Sequence, residues 1–403
     1  MTAPRVALVS DWYLPRFGGI ELHLRDLTVH LKAEGVDLEV LTPVPGPGEV
    51  EGVVVRRLCA AGRADGGYRF PPPPHANSAR DLFFFLECFA SPHRKSAHAR
   101  LREQLRAGRY DLVHVHFGNA PLAYAATREA VRLGLPVLTT FHSMIGHVQI
   151  PLAAALGRML GCARWPVRHS AVSSVVARSL RPLLGAAPVE ILPNGIDADW
   201  WGAARAMRAG NDAGGAGAGG EGAIELLAVM RLHPRKRPQA LLRAVAQARR
   251  ELPQGQRLRL RIIGEGPLRA ALERQAGRLG LGPDAEFLGR LGREEIRAAL
   301  SRADLFLLPS RLESFGIAAL EARCAGVPVL GMREAGLRDF LTEGADCLLA
   351  DGDRAFAAAL ARYGREPDLR RRLAEGCRAA VPGLSWPEVT ARHLLTYRQL
   401  LAK

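Results

Sequence analysis

Short runs of β-branched and other apolar residues alternate along the chain with longer amphipathic segments. In the first half the runs are RVALVS, VDLEVLT, LVHVHF, PVLTTF and VEILP, and helix-like segments such as IELHLRDLTVHLKAEG separate them. After residue 222 the alternation restarts with IELLAVM, LRLRIIG, AEFLG, DLFLLPS and GVPVLG. Buried strands that alternate with amphipathic helices are typical of a parallel sheet covered by helices. The pattern therefore predicts an α/β protein with two doubly wound domains.

The length of 403 residues agrees with two domains, because one ordinary core does not extend over so long a chain. We place the first domain at 1–195 and the second at 223–384. Small residues dominate 196–222, which predicts a flexible linker or loop rich in Gly and Ala. The segment 385–403 is an amphipathic helix that we expect to pack back on the first domain. Since open parallel sheets bind ligands at the carboxyl ends of their strands, we expect the functional residues in strand-to-helix loops that face a central cleft.

The composition is that of a globular protein, with 48% hydrophobic and 24% charged residues. No apolar run approaches the roughly 20 residues that span a bilayer. The opening MTAPRVALVSDWYLP has neither the basic region nor the hydrophobic stretch of a secretion signal. We therefore expect a cytoplasmic protein that is soluble or peripheral at the inner face of the membrane.

The formal net charge of +15 favours phosphate-bearing ligands, anionic membranes or nucleic acid, but it does not choose among them. No nucleic-acid recognition motif accompanies the charge, so we expect no nucleic-acid partner. The six cysteines form no C-x-x-C pair, and the two D-x-D strings at 197–199 and 351–353 are short enough to arise in turns. We therefore predict no metal site, no disulfide framework and no cofactor.

Two loops of the second domain carry residues suited to phosphate binding. RLHPRKRP follows a predicted strand and places Arg231 and Lys236 before a helix, where they would form a pyrophosphate clamp or simply a solvated basic loop. Only four of the 55 Lys and Arg residues are lysines, which draws attention to Lys236. In IIGEGPLR, Gly264 and Gly266 either let a ligand approach the backbone or form a structural turn.

Two glutamates bracket the start of a helix in ESFGIAALEARCAG. Glu313 lies in the loop after the strand DLFLLPS, and Glu321 lies in the second turn of a helix that we expect to open at Phe315. At 1.5 Å rise per residue their offset spans at most about 12 Å, which matches the length of a nucleotide sugar. The pair would bind sugar and ribose hydroxyls, or else Glu313 is an N-terminal helix acid and Glu321 the partner of an arginine.

The first domain has its own candidates at strand ends. Gly18 and Gly19 stand between the first strand and its helix, where they would admit a phosphate or form an ordinary turn. His142 follows the strand PVLTTF, and His114 and His116 share one face of LVHVHF; each would contact a sugar or have a structural role.

The segment 69–109 combines the apolar cluster Phe83 to Phe85 with many cations. This combination is typical of a membrane-surface element that receives a lipid acceptor, and also of a helix with core aromatics and solvated arginines.

Taken together and in this order, these motifs resemble those of the retaining glycosyltransferases of family 4, which have the GT-B fold of two Rossmann-like domains facing a central cleft. The resemblance covers nearly the whole chain. It rests on G-G-x-E at 18–21, HVHFG at 114–118, FHS at 141–143, PNGID at 193–197, R-x4-K at 231–236, GEGP at 264–267 and E-x7-E at 313–321. The closing SWPEVTARHLLTYRQLL is similar to the family's terminal helix.

The resemblance implies that His142, Arg231, Lys236 and Glu313 are catalytic. Glu313 would bind hydroxyls of the donor sugar, Arg231 and Lys236 would stabilise the leaving diphosphate, and His142 would contact the sugar near its anomeric carbon. The implied donor-binding residues are Gly18, Gly19, Gly264, Gly266, Ser314, Phe315, Gly316, Ile317 and Glu321, with Glu321 holding the ribose. His116 and Ser143 are implied on the acceptor side. Retention through a front-face process implies no metal and no protein nucleophile.

The chain departs from the family pattern after Gly336, where Arg338 and Asp339 replace a Pro-Glu pair. SDWYLPRFGGIELHL and FHSMIGH are most similar to transferases of N-acetylglucosamine to phosphatidylinositol or related inositol acceptors. The partners implied are a nucleotide-sugar donor, with a UDP-sugar favoured, and a hydroxyl acceptor. Two other hypotheses remain at this point, a nucleotide-sugar epimerase on a similar double fold and a noncatalytic nucleic-acid-binding protein.

Overall fold

A computed structural model describes residues 3–16, 18–59, 92–118, 121–144, 155, 164–213, 223–378 and 383–402. The chain divides into two compact units, the first containing residues 1–195 and 386–403 and the second containing residues 196–385. The cluster Phe83 to Phe85 lies outside the described residues.

An eight-stranded sheet forms the centre of the first unit. Its strands are β1 (Arg5–Ser10), β2 (Asp37–Thr42), β3 (Glu49–Val50), β4 (Val53–Arg57), β5 (Leu112–Phe117), β6 (Val137–Phe141), β7 (Arg168–Ala171) and β8 (Val189–Ile191). The order is β3-β4-β2-β1-β5-β6-β7-β8, and every neighbouring pair is parallel except β3 with β4. The helices of the first unit that precede β8 are α1 (Gly19–Ala33), α2 (Pro92–Ala107), α3 (Pro121–Arg132), α4 (Ser174–Ser179) and α5 (Arg181–Leu184).

Strand β7 was not among the predicted strands, because its sequence RHSA has no apolar run. His169 and Ser170 are nonetheless 5% and 0% exposed, and they are buried through hydrogen bonds to the neighbouring strand. The hydroxyl of Thr139 lies 2.8 Å from Nδ1 of His169, and the hydroxyl of Thr140 lies 2.7 Å from that of Ser170. Polar side chains that satisfy one another across the sheet therefore replace apolar packing here.

The second unit has a six-stranded, fully parallel sheet. Its strands are β9 (Ala223–Val229), β10 (Arg257–Ile263), β11 (Ala285–Gly289), β12 (Leu305–Leu308), β13 (Val329–Met332) and β14 (Cys347–Ala350), in the order β11-β10-β9-β12-β13-β14. Its helices are α6 (Ala198–Ala213), α7 (Pro238–Arg249), α8 (Arg269–Arg278), α9 (Arg293–Leu300), α10 (Ile317–Cys324), α11 (Asp353–Arg365) and α12 (Pro367–Gly376). The strand order reverses between β9 and β12, which makes this pair the topological switch point.

The expected flexible linker at 196–222 is wrong for residues 198–213, which form helix α6. Alanine is the strongest helix former and is frequent here. The side chain of Asp197 caps the helix by accepting the amide of Trp200 at 3.0 Å. Trp201 is 1% exposed, and Nε of Arg205 donates to the carbonyl of Cys324 at 2.8 Å, so the helix is packed on the second unit.

The last helix, α13 (Trp386–Leu401), belongs to the first unit. The indole of Trp386 is stacked on His30 and His23, with ring centroids 4.9 and 5.4 Å apart. A Cβ on Gly195 would lie 2.4 Å from the same indole, so only glycine leaves room for it there. Among the described residues, none of the helices has the length and apolar character needed to cross a membrane.

Candidate active site

The loops after β9 and β12 begin side by side in the second unit. Leu226 and Leu227 of β9 are in register with Leu305 and Phe306 of β12, and both strands run in the same direction. A switch point of this kind is where open α/β folds bind ligands.

Lys236 and Glu313 meet at this position. Nζ of Lys236 donates to Oε2 of Glu313 at 2.6 Å, although 77 residues separate them. The two side chains keep 27% and 14% exposure, so the pair is partly desolvated and still accessible. A charge-assisted bond of this length fixes the carboxylate and places one positive charge beside it. The arrangement can therefore bind hydroxyl groups through the carboxylate and phosphate through the ammonium group.

Arg231 lies in the same loop but points into solvent. Its side chain is exposed and has no ion-pair or hydrogen-bond partner in the part of the chain that the structure describes. The structure thus joins Lys236 to Glu313 and keeps Arg231 as a separate cation at the start of the loop.

The structure explains why glycine occupies positions 264 and 266 without involving a ligand. A Cβ on Gly264, whose φ is +136°, would lie 1.9 Å from the carbonyl oxygen of Met230, and one on Gly266 would lie 2.4 Å from that of Leu232. The two loops are joined by backbone bonds, since the amide of Leu232 donates to the carbonyl of Glu265 at 2.9 Å. The glycines therefore let the loops after β9 and β10 lie against each other.

Helix α10 begins at Ile317, so the expected start at Phe315 is wrong by two residues. Gly316 adopts φ +93° as the N-cap, a conformation that a side chain disfavours. Only the residues from Ile317 onward rise as a helix, so the helical rise holds for half of the offset between the two glutamates and about 12 Å is not its upper limit. Glu321 lies in the second turn of α10 and is half-buried.

The loop after β13 supports Glu313 from the other side. The amide of Gly336 donates to the carbonyl of Glu313 at 2.9 Å, and a Cβ on Gly336 would lie 2.2 Å from the carbonyl oxygen of Ser314. Phe315 is 2% exposed and lies against Phe340, with ring centroids 5.2 Å apart. The short 3-10 turn Gly336–Asp339 forms although Arg338 and Asp339 replace the family's Pro-Glu pair.

A further arginine at the switch point was missed in the sequence. Arg237 has φ +58°, and its guanidinium group binds both oxygens of Asp353 at 2.7 and 2.8 Å and the carbonyl of Pro309 at 3.2 Å. The bond connects the loop after β9 to the start of α11. The only available signal was the D-x-D string at 351–353, whose carboxylates pair with arginines here, Asp351 with Arg333 at 2.9 Å.

In the first unit the glycine pair lies at the start of α1. Gly18 has extended backbone, and a Cβ on it would lie 2.4 Å from Oε2 of Glu21. Glu21 is 4% exposed and pairs with Nε of Arg16 at 3.2 Å. Gly18 therefore leaves space for the buried carboxylate of Glu21, while Gly19 is the exposed first residue of the helix.

The predicted histidines belong to a buried cluster beside β5 and β6. Nδ1 of His116 lies 2.8 Å from Nε2 of His142, and His114 lies 2.7 Å from the hydroxyl groups of both Tyr397 and Thr140. The amide of His142 donates to the carbonyl of Phe117 at 3.0 Å, which continues the pairing of β5 with β6. Ser143 follows as a half-buried residue.

Sequence reasoning missed His23 and His393, which α1 and α13 bring to the same cluster. The ring of His23 lies 5.5 Å from that of His142, and the ring of His393 lies 5.8 Å from that of His114. Burial lowers the pKa of every imidazole in the cluster, that of His142 to about 3 and that of His393 to about 4. All five are therefore neutral at pH 7, and their value is in hydrogen bonding rather than charge.

Within the described ranges, no three His, Cys, Asp or Glu side chains form a group that could hold a metal ion. The thiols of Cys324, Cys347 and Cys377 in the second unit are buried, and burial raises the pKa of Cys324 to about 11.

Comparison of the chain with protein families and known proteins agrees with this geometry. The family description "Glycosyltransferase Family 4" matches residues 17–200, and "Glycosyl transferases group 1" matches residues 218–379. Phosphatidyl-myo-inositol mannosyltransferase of Mycobacterium leprae is 30% identical over 397 residues, which cover 98% of this chain and 96% of that protein. D-inositol 3-phosphate glycosyltransferase of Saccharomonospora viridis is 28% identical over 412 residues, covering 96% of this chain and 90% of its own.

Two solved structures share the architecture. Anabaena HepE in complex with UDP superimposes with a TM-score of 0.72 at 17% identity, over 98% of this chain and 100% of that one. Sucrose-phosphate synthase from Thermosynechococcus elongatus has a TM-score of 0.71 at 21% identity, over 99% of each chain. The two parallel-sheet units thus define an enzyme of the GT-B fold. The chain belongs to glycosyltransferase family 4, and it is a glycosyltransferase rather than an epimerase or a noncatalytic nucleic-acid-binding protein.

Proposed function

We propose that this glycosyltransferase moves a sugar, with retention, from a nucleotide diphosphate sugar to a hydroxyl group of a phosphorylated inositol. A UDP-sugar such as UDP-N-acetylglucosamine is the favoured donor. The observation that carries the proposal is the bond of 2.6 Å between Lys236 and Glu313 at the switch point of the second unit. The proposed acceptor comes from the relatives, which are named D-inositol 3-phosphate glycosyltransferase and phosphatidyl-myo-inositol mannosyltransferase.

The second unit would bind the donor through complementary charges. Glu313 would accept hydrogen bonds from sugar hydroxyls, and its position is fixed by Lys236 and by the backbone of Gly336. Lys236, the exposed Arg231 and the first amides of α10 would face the diphosphate, because a helix N-terminus and two cations favour an anion. Glu321 would hold the ribose.

Departure of the diphosphate is the step that these groups would assist. When the bond between the anomeric carbon and the phosphate oxygen breaks, the electron pair goes to the leaving diphosphate, whose charge grows. Cations already positioned for that charge lower the barrier without reorganising. The leaving phosphate would accept the proton of the acceptor hydroxyl on the same face of the sugar. No metal ion or protein nucleophile is required in this proposal.

The first test is thermal melting of the protein with UDP, GDP and ADP and with their sugar conjugates. A ligand at 100 times its dissociation constant adds about 2.7 kcal/mol of stability. A selective shift with UDP and its conjugates supports the donor assignment. The absence of a shift with every nucleotide would contradict the proposed donor site.

Measurement of turnover then tests the role of Glu313 in its pair with Lys236. Glu313→Gln keeps the shape of the side chain but removes the charge, and we expect turnover with UDP-sugar and inositol 3-phosphate to fall at least about a hundredfold. Glu251→Gln is the matched control, since Glu251 follows α7 at the opposite edge of the sheet and pairs with Arg365 at 3.1 Å. Equal turnover of the two variants would refute the role of Glu313.

Two further measurements test the retention of configuration and the proposal that no metal is required. The anomeric configuration of the product, read from its proton NMR couplings, should equal that of the donor, and the opposite configuration would exclude retention. Turnover should persist after dialysis against EDTA, and a loss that a divalent cation restores would contradict the metal-free proposal.

The acceptor would be either free inositol phosphate or its lipid form, and a basic surface of the first unit favours contact with an anionic membrane. Arg102, Arg106 and Arg132 share the single carboxylate of Glu129, at 3.6, 3.4 and 3.9 Å, so positive charge remains in excess on α2 and α3. Flotation with phosphatidylinositol vesicles, compared with neutral phosphatidylcholine vesicles, tests this contact. Turnover of free inositol phosphate without any flotation would show that the soluble acceptor is the substrate.

A further inference from the structure

Two buried imidazoles share one hydrogen bond at the centre of the first unit. Nδ1 of His116 and Nε2 of His142 are 2.8 Å apart, and the side chains are 1% and 6% exposed. Both rings are neutral, because burial lowers both pKa values. A neutral imidazole carries one N–H, so one ring donates this bond and the other accepts it. The direction of the bond decides which nitrogen of His142 carries the proton.

The other nitrogen of His116 distinguishes the two directions. Nε2 of His116 is fully buried and has no hydrogen-bond partner among the described residues. If His142 donated, His116 would carry its proton on Nε2, and a buried N–H group would be left without an acceptor. If His116 donates from Nδ1, Nε2 is left only with an unused lone pair. A buried N–H without an acceptor is the rarer of the two in proteins, so donation by His116 is favoured.

The surroundings keep this arrangement in place. His116 lies on β5 opposite Thr140 of β6, and the backbone of His142 is bonded to that of Phe117, so both rings are anchored by the sheet. The rings facing the pair are His114, 4.0 Å from His116, and His23, 5.5 Å from His142, and both are neutral at pH 7. No neighbouring ring therefore supplies a charge that would reverse the bond.

We propose that His116 is a positioning residue, which donates its Nδ1–H to His142 and thereby holds His142 in the tautomer with a proton on Nδ1. Nδ1 is the remaining polar atom of His142, and it has no hydrogen-bond partner among the residues that the structure describes. His142 then presents a neutral N–H donor. It binds an oxygen atom of the substrate, such as a sugar hydroxyl or a phosphate oxygen, and it does not act as a base. The use of this donor in transfer rests on the function proposed above, whereas the tautomer does not.

NMR of the full-length protein, labelled with nitrogen-15 at histidine, tests the tautomer directly. Protonated and unprotonated ring nitrogens have well-separated shifts, and the signals of His142 are identified by their loss in His142→Asn. We expect a proton on Nδ1 and none on Nε2. A proton on Nε2 of His142 in the free enzyme would overturn the proposal, whatever reaction the enzyme catalyses.

Two variants of His116 test the positioning role. His116→Phe removes the donor, and we expect kcat to fall about five- to tenfold, the effect of one neutral hydrogen bond, with KM for the donor changed by less than about twofold. His116→Asn has an amide N–H near the position of Nδ1, and it should restore most of kcat and the His142 signals. The matched control is His169→Phe on β7, which should leave kcat and the His142 signals unchanged.

The outcomes separate the positioning role of His116 from the function proposed above. Loss of kcat in His116→Phe with recovery in His116→Asn supports the positioning role. Equal losses in both variants, or a loss that matches a reduced free energy of unfolding, would mean that His116 is only structural and would overturn it. The expected tautomer together with unchanged kcat in His116→Phe would overturn the positioning role of His116 in transfer and leave only the tautomer.

Discussion

Lowering the pH from 7 to 5.5 should destabilise the first unit, because several of its buried histidines stay neutral in the folded protein at pH values where the unfolded chain protonates them. Burial lowers the pKa of His142 to about 3 and those of His169 and His393 to about 4. In the unfolded chain each imidazole has its ordinary pKa of about 6.5. The contribution of these groups to stability is therefore complete above pH 6.5. It is lost progressively as the pH falls toward 4, since only the unfolded state takes up protons there.

The size of the stability loss follows from the difference between the folded and unfolded pKa values of each imidazole. Each of the three histidines costs about 1.36 kcal/mol per pH unit once the unfolded state is fully protonated. Between pH 7 and 5.5 the loss is about 4 kcal/mol for the three histidines together. The lowered pKa values of His23, His114 and His116 act in the same direction. Domains are stable by only about 5–15 kcal/mol, so the loss is a large fraction of the total.

The assay is urea unfolding at a series of pH values from 7.5 to 5, followed by circular dichroism. His393→Leu should reduce the loss between pH 7 and 5.5 by about a third, because one of the three titrating groups is gone. Thr390→Val is the matched control on the same helix. Its hydroxyl group is buried without a hydrogen-bond partner among the described residues, and the substitution should shift the curve without changing its slope.

A free energy of unfolding that stays constant between pH 7 and 5.5 would refute the reasoning. So would parallel curves for the wild-type protein and His393→Leu. Either result would mean that the imidazoles have similar pKa values in the folded and unfolded states.

Two substitutions in the second unit should change stability by mechanisms that the contacts define. Gly264→Ala places a Cβ 1.9 Å from the carbonyl oxygen of Met230 at φ +136°, and it should cost about 3 kcal/mol in urea unfolding. Gly277→Ala, where nothing lies within 4 Å, should be neutral or stabilising by up to about 1 kcal/mol, and similar losses in both would contradict the steric argument. Arg323→Leu should cost about 3–5 kcal/mol, because Asp346, bonded to Nε at 2.7 Å and 5% exposed, keeps a buried charge without its partner. Adding Asp346→Leu should recover much of the loss, and a double variant as unstable as the sum of both changes would refute the pairing.

The periodicity of the chain was sufficient to predict two parallel sheets and the loops that carry the site. Runs such as RVALVS and DLFLLPS became β1 and β12, because a strand buried on both faces must be apolar throughout. The motifs around Lys236 and Glu313 were recognisable since each lies within one loop. The assignment to glycosyltransferase family 4, made from motifs in order, is confirmed by the comparisons.

Local patterns failed where tertiary contacts replace apolar periodicity. The segment that forms α6 was predicted to be a linker because few of its residues are large and apolar. The buried indole of Trp201 and the cap by Asp197 nonetheless stabilise it as a helix packed on the second unit. Strand β7 was missed because its buried groups are polar and are satisfied only by β6.

The sequence by itself determined the fold class and the family, and it predicted the loops in which the candidate site residues lie, because these depend on short-range patterns. The tertiary structure alone decided which side chains meet. Lys236 bonds Glu313 because β9 lies beside β12. His23 reaches His142 and Tyr397 reaches His114 because α1 and α13 pack on one another there. Strand order and helix packing bring together residues that are far apart in the chain, and no local pattern records those distances.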